Sequence, residues 1–370
     1  MYESKLITRS GAARDSGLDV ARVIALLGII VVNYHGYLNG AQALGYNQSN
    51  PFLRLLDPWN GILVFSPVVF VVASGIGCAL LTNAARESED TGAVSTMRWV
   101  LVRRGVTLLL GGLIFEWIWA GTILPYFGIY FLLAAFIYTW KARAIVTLSL
   151  TATLGAAALS WWRFERAVDG YSTTWLSPRW IVTPRDLIFR LFIDYTHPVL
   201  PWFTYFCAGL LVGRAWKAFA DRRRLIMAAC AAVAAVSFTI SALALHLSDG
   251  LTQHLLSTDP FRRGLLATVA YTAIGVGFIA LVLTFVDRLR SNRWVGVAQR
   301  VGASTLTMYV LHAFVYNAVV NWWSWIDPTG FDVAALFGLI TWTCLVIIAI
   351  IWTNRFGRAP LEYVLRRIGG

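Results

Sequence analysis

Charge is scarce in this sequence: Asp, Glu, Lys and Arg make up 14% of 370 residues, 58% are hydrophobic, and mean hydropathy is +0.64. A water-soluble domain of that composition could not cover itself with polar surface, so soluble classes are excluded and lipid is the solvent. No polar block long enough for a second domain interrupts the apolar stretches between residues 20 and 353, which points to one membrane domain over 1–370. Cys78, Cys207, Cys230 and Cys344 lie within apolar segments and lack paired spacing. They read as small apolar residues, not as disulfides or metal ligands. Walker, Rossmann and zinc motifs are missing. No small-residue cleavage site follows the first apolar run, so that run is expected to stay as a helix.

What is present is helix-length hydrophobicity. Windows near 20–38, 62–82, 100–119, 122–140, 144–162, 198–216, 225–246, 265–286, 300–320 and 333–353 each suffice to cross a hydrocarbon core of roughly 30 Å. The expected fold class is therefore all-α, a polytopic membrane bundle of about ten transmembrane helices. Gly121 and Pro125 predict a tight hairpin between the third and fourth windows in place of one over-long helix.

Lys and Arg collect in cytoplasmic loops. With the amino terminus inside, 23 of the 31 basic residues fall on the inner side, and the even helix number returns the carboxyl terminus there too. This gives a cytoplasmic segment 1–19, an extracytoplasmic loop 163–197 and a cytoplasmic tail 354–370. The net charge of +12 is accounted for by that asymmetry against an anionic inner leaflet, without nucleic acid. Trp117, Trp119, Trp161, Trp162, Trp202, Trp322, Trp323 and Trp325 fall at predicted outer helix ends, where most would anchor the bilayer interface and some could stack on a sugar.

Ionisable groups at membrane depth are costly and usually face protein or a water-filled cavity. Arg22, Arg103 and Arg104 could each mark an interface, but three arginines near helix amino termini also make a phosphate clamp. Asp19 reads as a helix cap. His35 follows Asn33 and Tyr34 at the end of the first window; it is either a hydrogen-bonded structural residue or a base for a hydroxyl. His312 lies mid-helix and requires a partner or a cavity. Glu116 sits near an outer helix end, and His197 opens the sixth window next to Pro198.

Several segments, in order, resemble the YeiB-like bacterial membrane proteins and their relatives with a heparan-α-glucosaminide N-acetyltransferase-like domain. They are Leu18 to Ile29 closing on Asn33, Phe65 to Gly77, Arg103-Arg104-Gly105, Ile123 to Ile129, His197 to Trp202 running on to Gly213-Arg214, Gly302 to His312, and Ala359 to Tyr363. Val23 stands where the family usually has Gly.

The resemblance implies a transmembrane acyltransferase in the bacterial plasma membrane. It would move an acyl group, acetyl in the first instance, from cytoplasmic acyl-CoA to an extracytoplasmic glycan, glycolipid or related envelope acceptor. Arg22, Asn33, Arg103 and Arg104 would then hold the donor, with no metal, and a homo-oligomer stays open. In the N-acetyltransferase branch a catalytic His precedes Trp-Asn-Gly, but here Leu56-Asp57-Pro58 precedes Trp59-Asn60-Gly61. His35, then His312, then Asp57 are the candidates for its role. The alternative is a non-catalytic transporter or flippase of a lipid-linked or glycan intermediate, against which the lack of an internal repeat counts.

Overall fold

The computed structural model describes residues 16–41, 61–289, 293–326 and 330–369, and contains no strand among them. The main helices are α1 (Ser16–Ala41), α2 (Ser66–Glu87), α3 (Thr91–Phe115), α4 (Leu124–Ile137), α5 (Ala142–Val168) and α6 (Val199–Arg214). After these come α7 (Arg223–Ala244), α8 (Leu265–Arg288), α9 (Arg293–Gly302), α10 (Thr305–Tyr316), α11 (Phe331–Phe356) and α12 (Pro360–Gly369).

Each apolar window falls on helix. By length and composition six described helices can cross a membrane, α1, α2, α5, α7, α8 and α11, or seven if the bent α9–α10 pair is one span. The other windows fall short for physical reasons. Helices α4 and α6 have 14 and 16 residues, about 21 and 24 Å of rise at 1.5 Å per residue. Helix α3 is long enough at 25 residues but carries Arg98, Arg103 and Arg104. The hairpin between the third and fourth windows is present, with Gly121 at φ +76° and Pro125 in the first turn of α4.

The window 300–320 is not one straight helix. The chain bends by 72° between α9 and α10. Glu362 of α12 explains where α10 begins: its carboxylate accepts the backbone N–H groups of Leu306 at 2.7 Å and Thr307 at 3.1 Å, satisfying donors a helix start leaves orphaned. At its far end α10 widens into a π-helical turn, Asn317–Trp322.

Helix α1 is the hub, packed against α2, α8, α9 and α11. The α2–α6 crossing is so close that a Cβ on Gly75 would run into the Phe206 carbonyl and one on Gly209 into the Val72 carbonyl. Small residues let membrane helices approach where lipid supplies no hydrophobic drive between them. Helix α7 buries only Ser237 and Ala244 and presents its apolar surface outward. Trp117, Trp161, Trp322, Trp323 and Trp325 are exposed as an interface belt requires, whereas Trp119 is 2% exposed and belongs to the interior.

Candidate functional site

The interior polar group lies where α1 meets α10. His312 is fully buried. Its Nδ1 hydrogen-bonds the Tyr309 carbonyl one turn earlier. A carbonyl only accepts, so Nδ1 carries the proton, as assigned from the hydrogen-bond network. In a neutral ring Nε2 is then an acceptor, and it takes an N–H from Asn33 Nδ2 at 3.0 Å. The imidazole is thus oriented on one side by backbone and keeps its basic lone pair against an amide on a different helix.

Aromatic side chains enclose this pair. The Tyr34 hydroxyl donates to the His312 carbonyl at 2.7 Å, and Trp119 stands edge-on to the imidazole at 5.2 Å between centroids. The Tyr309 hydroxyl accepts the Ile123 N–H at 3.1 Å and lies 3.1 Å from Thr122 Oγ1, which ties α10 to the start of α4. Beside Tyr309 an apolar cavity of about 120 Å³, lined by Phe70, Leu124, Phe127, Leu306 and Leu365 among others, runs toward the amino end of α10.

The other expected residues are placed differently. His35 is 2% exposed and stands edge-on to Phe331 of α11, with ring centroids 5.5 Å apart. Asp57, with the Trp59-Asn60 step, lies outside the described residues. Arg22 is engaged within the bundle: it pairs with Asp19 at 3.2 Å and donates to the Ala73 carbonyl of α2 at 3.2 Å. Asp19 sits in the first turn of α1 as the ion-pair partner of Arg22. Arg103 is exposed, while Arg104, the next residue round α3, is half-buried under Gly369 of α12. The three arginines of the expected clamp thus point to three different surroundings.

At the opposite end of α3, Glu116 forms a largely buried ion pair with Arg190, whose guanidinium also lies 3.9 Å over the Tyr195 ring. Asp194 receives both Arg163 and Arg263. Sequence reasoning marked Glu116 but not its partner, because loop arginines carry no helical spacing. Ser160 and His254 also meet at 2.9 Å, but they are not a nucleophile and base. The Ser160 hydroxyl donates to the Arg262 carbonyl at 2.5 Å, and His254 Nε2, 3.2 Å from the Ser160 carbonyl, must itself be the donor.

These features define a multi-pass helical membrane protein with a buried, oriented histidine between its first helix and a late one. Residues 14–247 match the family described as heparan-alpha-glucosaminide N-acetyltransferase, catalytic, and residues 213–369 match a family described as protein of unknown function (DUF418). The first match spans more than half the chain, and the chain belongs to that family. No curated protein matches it. Asn33 falls in the first matched segment and His312 in the second, so the buried pair joins them.

Proposed function

We propose that the protein is a transmembrane acyltransferase that takes an acyl group, acetyl foremost, from acyl-CoA on the cytoplasmic side. It passes the group to a hydroxyl or amine of an extracytoplasmic glycan, glycolipid or related envelope acceptor. The observation that carries this reading is the Tyr309 carbonyl–His312–Asn33 chain, a neutral imidazole with one nitrogen oriented and the other basic. Family membership supports transfer over transport as the chemistry.

In this reading His312 Nε2 takes the proton of the acceptor hydroxyl as its oxygen attacks the thioester carbonyl carbon. The carbon–sulfur bond then breaks, and the imidazolium returns the proton to the departing CoA thiolate. Asn33 turns its N–H from Nε2 to the carbonyl oxygen, where a donor stabilises the charge that develops. The apolar crevice beside Tyr309 suits the uncharged arm of the donor, with Arg22, Arg103 and Arg104 at the same end of the bundle as its phosphates. His35 and Asp57 are the second and third candidates for the base. The reading places about ten helices in a bacterial plasma membrane, the shorter ones α4 and α6 among them, and sets both termini on the cytoplasmic side, an orientation that the distribution of Lys and Arg supports.

The test uses proteoliposomes loaded with envelope glycan or glycolipid and supplied outside with radiolabelled acetyl-CoA. Label appearing in the enclosed acceptor, with free thiol released in equal amount, is the expected result. Movement of intact acceptor without thiol release would favour the transporter reading.

A further inference from the structure

A second site lies where α9, α10, α11 and α12 converge. A cavity of about 360 Å³ there is lined by Gln299, Arg300, Ser304, Arg358, Glu362 and Arg366 among others. Its volume falls within the range of small-ligand sites. Among the described residues the neighbourhood is unbalanced in charge. The lining, among the described residues, carries Arg300, Arg358 and Arg366 against the single carboxylate of Glu362, and that carboxylate is already spent on Leu306 N, Thr307 N and the Thr307 hydroxyl, the last at 2.5 Å. Arg104 adds a fourth guanidinium, near enough to Arg366 for the two to repel. Among the described residues, the guanidinium groups of Arg300, Arg358 and Arg366 make no hydrogen bond or ion pair with a carbonyl or carboxylate. Like charges gathered round a cavity repel unless an anion shares them, and guanidinium forks match the oxygens of phosphate best.

The rim of the cavity is suited to a membrane surface. Phe356, Tyr363, Val364 and Ile368 are exposed on α11 and α12, which flank Arg358 in the turn between them, and α12 also carries Arg366. An amphipathic helix with arginines beside exposed aromatic and aliphatic residues lies at the headgroup level of a bilayer. We propose that this cavity binds a phosphate ester, presented by an anionic lipid headgroup or by a soluble phosphate compound, through Arg300, Arg358 and Arg366. The site is separate from the Asn33–His312 pair and stands whether or not the protein transfers acyl groups.

The full-length protein in detergent is titrated calorimetrically with dioctanoyl phosphatidylglycerol, with dioctanoyl phosphatidylcholine and with inorganic pyrophosphate. Wild type binds the anionic lipid or pyrophosphate saturably and ignores the zwitterionic lipid. Arg300→Gln combined with Arg366→Gln weakens that binding at least tenfold, whereas Arg222→Gln combined with Arg224→Gln, in a separate basic patch, changes it less than threefold. An effect on the lipid alone assigns the headgroup as the source, and an effect on pyrophosphate assigns a soluble phosphate. If the double variant fails to fold, Arg358→Gln alone is read in the same way. The proposal falls if wild type binds neither probe, if the cavity variants bind as wild type does, or if the control patch loses as much affinity as the cavity.

Discussion

Asn33 and His312 are 279 residues apart in the chain and 3.0 Å apart in space, amide nitrogen against imidazole nitrogen. The contact joins α1 to α10 at the basic nitrogen of the histidine. Because the carbonyl of Tyr309 holds the other nitrogen, neither residue can be replaced without changing what Nε2 faces.

The first prediction follows from that arrangement. Positioned general bases contribute roughly 10²–10⁴-fold, and one fixed donor to a developing oxyanion about 10²–10³-fold. His312→Gln is expected to lower acyl transfer by at least about two orders of magnitude, and Asn33→Ala by a similar factor. His35→Ala should keep turnover within about tenfold of wild type, since its ring faces Phe331. Steady-state rates with the same acceptor check all three. A His35→Ala loss equal to that of His312→Gln would return the base to α1.

The tyrosines beside the pair separate stability from chemistry. Tyr309→Phe leaves the orienting carbonyl in place but strips the hydroxyl that accepts the Ile123 N–H. A buried donor left unpaired costs roughly 1–3 kcal/mol. The variant should therefore unfold at a lower temperature in detergent while its turnover stays near that of wild type. A large fall in turnover at unchanged stability would place the hydroxyl itself in the reaction.

Much of the bundle was legible because hydrophobic windows of helical length are its main signal, and each one falls on helix. The bend between α9 and α10 was not, because it depends on Glu362, 56 residues beyond Leu306, reaching back to cap a helix start. His312 was legible as a residue that had to have a partner, since imidazole at membrane depth is expensive unpaired. Its partner was legible only as part of a motif, because sequence spacing holds no information about which face of α1 meets α10. How the three arginines of the expected clamp are surrounded was illegible for the same reason. Arg103 and Arg104 are neighbours in sequence but about 100° apart round a helix, and Arg22 is held by Asp19 and Ala73.

The ion pair at the far end of α3 gives a third prediction. Glu116 and Arg190 are 13% and 7% exposed, and removing one member of a buried pair typically costs about 3–5 kcal/mol by stranding the other charge. Arg190→Met and Glu116→Leu should each lower the unfolding midpoint markedly, and the double variant should recover most of the loss. Thermal unfolding of the four proteins forms the cycle. Additive losses would mean that the pair is solvated and of little consequence.

The last prediction concerns acid. His197 stands in the loop before α6, with its ring 4.5 Å from Trp202 and 5.7 Å from Tyr126, and its Nδ1 is buried with no hydrogen-bond partner among the described residues. Burial pushes the imidazole down to about 3 from its ordinary 6.5. The folded protein therefore holds this ring neutral while the unfolded chain protonates it below pH about 6.5. Protons then bind preferentially to the unfolded state, so stability falls as pH drops from about 6.5 toward the folded value, by at most about 1.4 kcal/mol per unit for this residue. His197→Phe fits an aromatic setting and removes an unsatisfied nitrogen, so it should leave stability at pH 7.5 little changed. It should also shrink the difference between the unfolding midpoints at pH 7.5 and pH 5. The comparison of the two proteins at the two pH values isolates this ring from the other buried histidines, whose contributions are common to both. Equal acid sensitivity in the variant would show that His197 is protonated as readily in the folded protein as in the unfolded chain, and that its loop admits water.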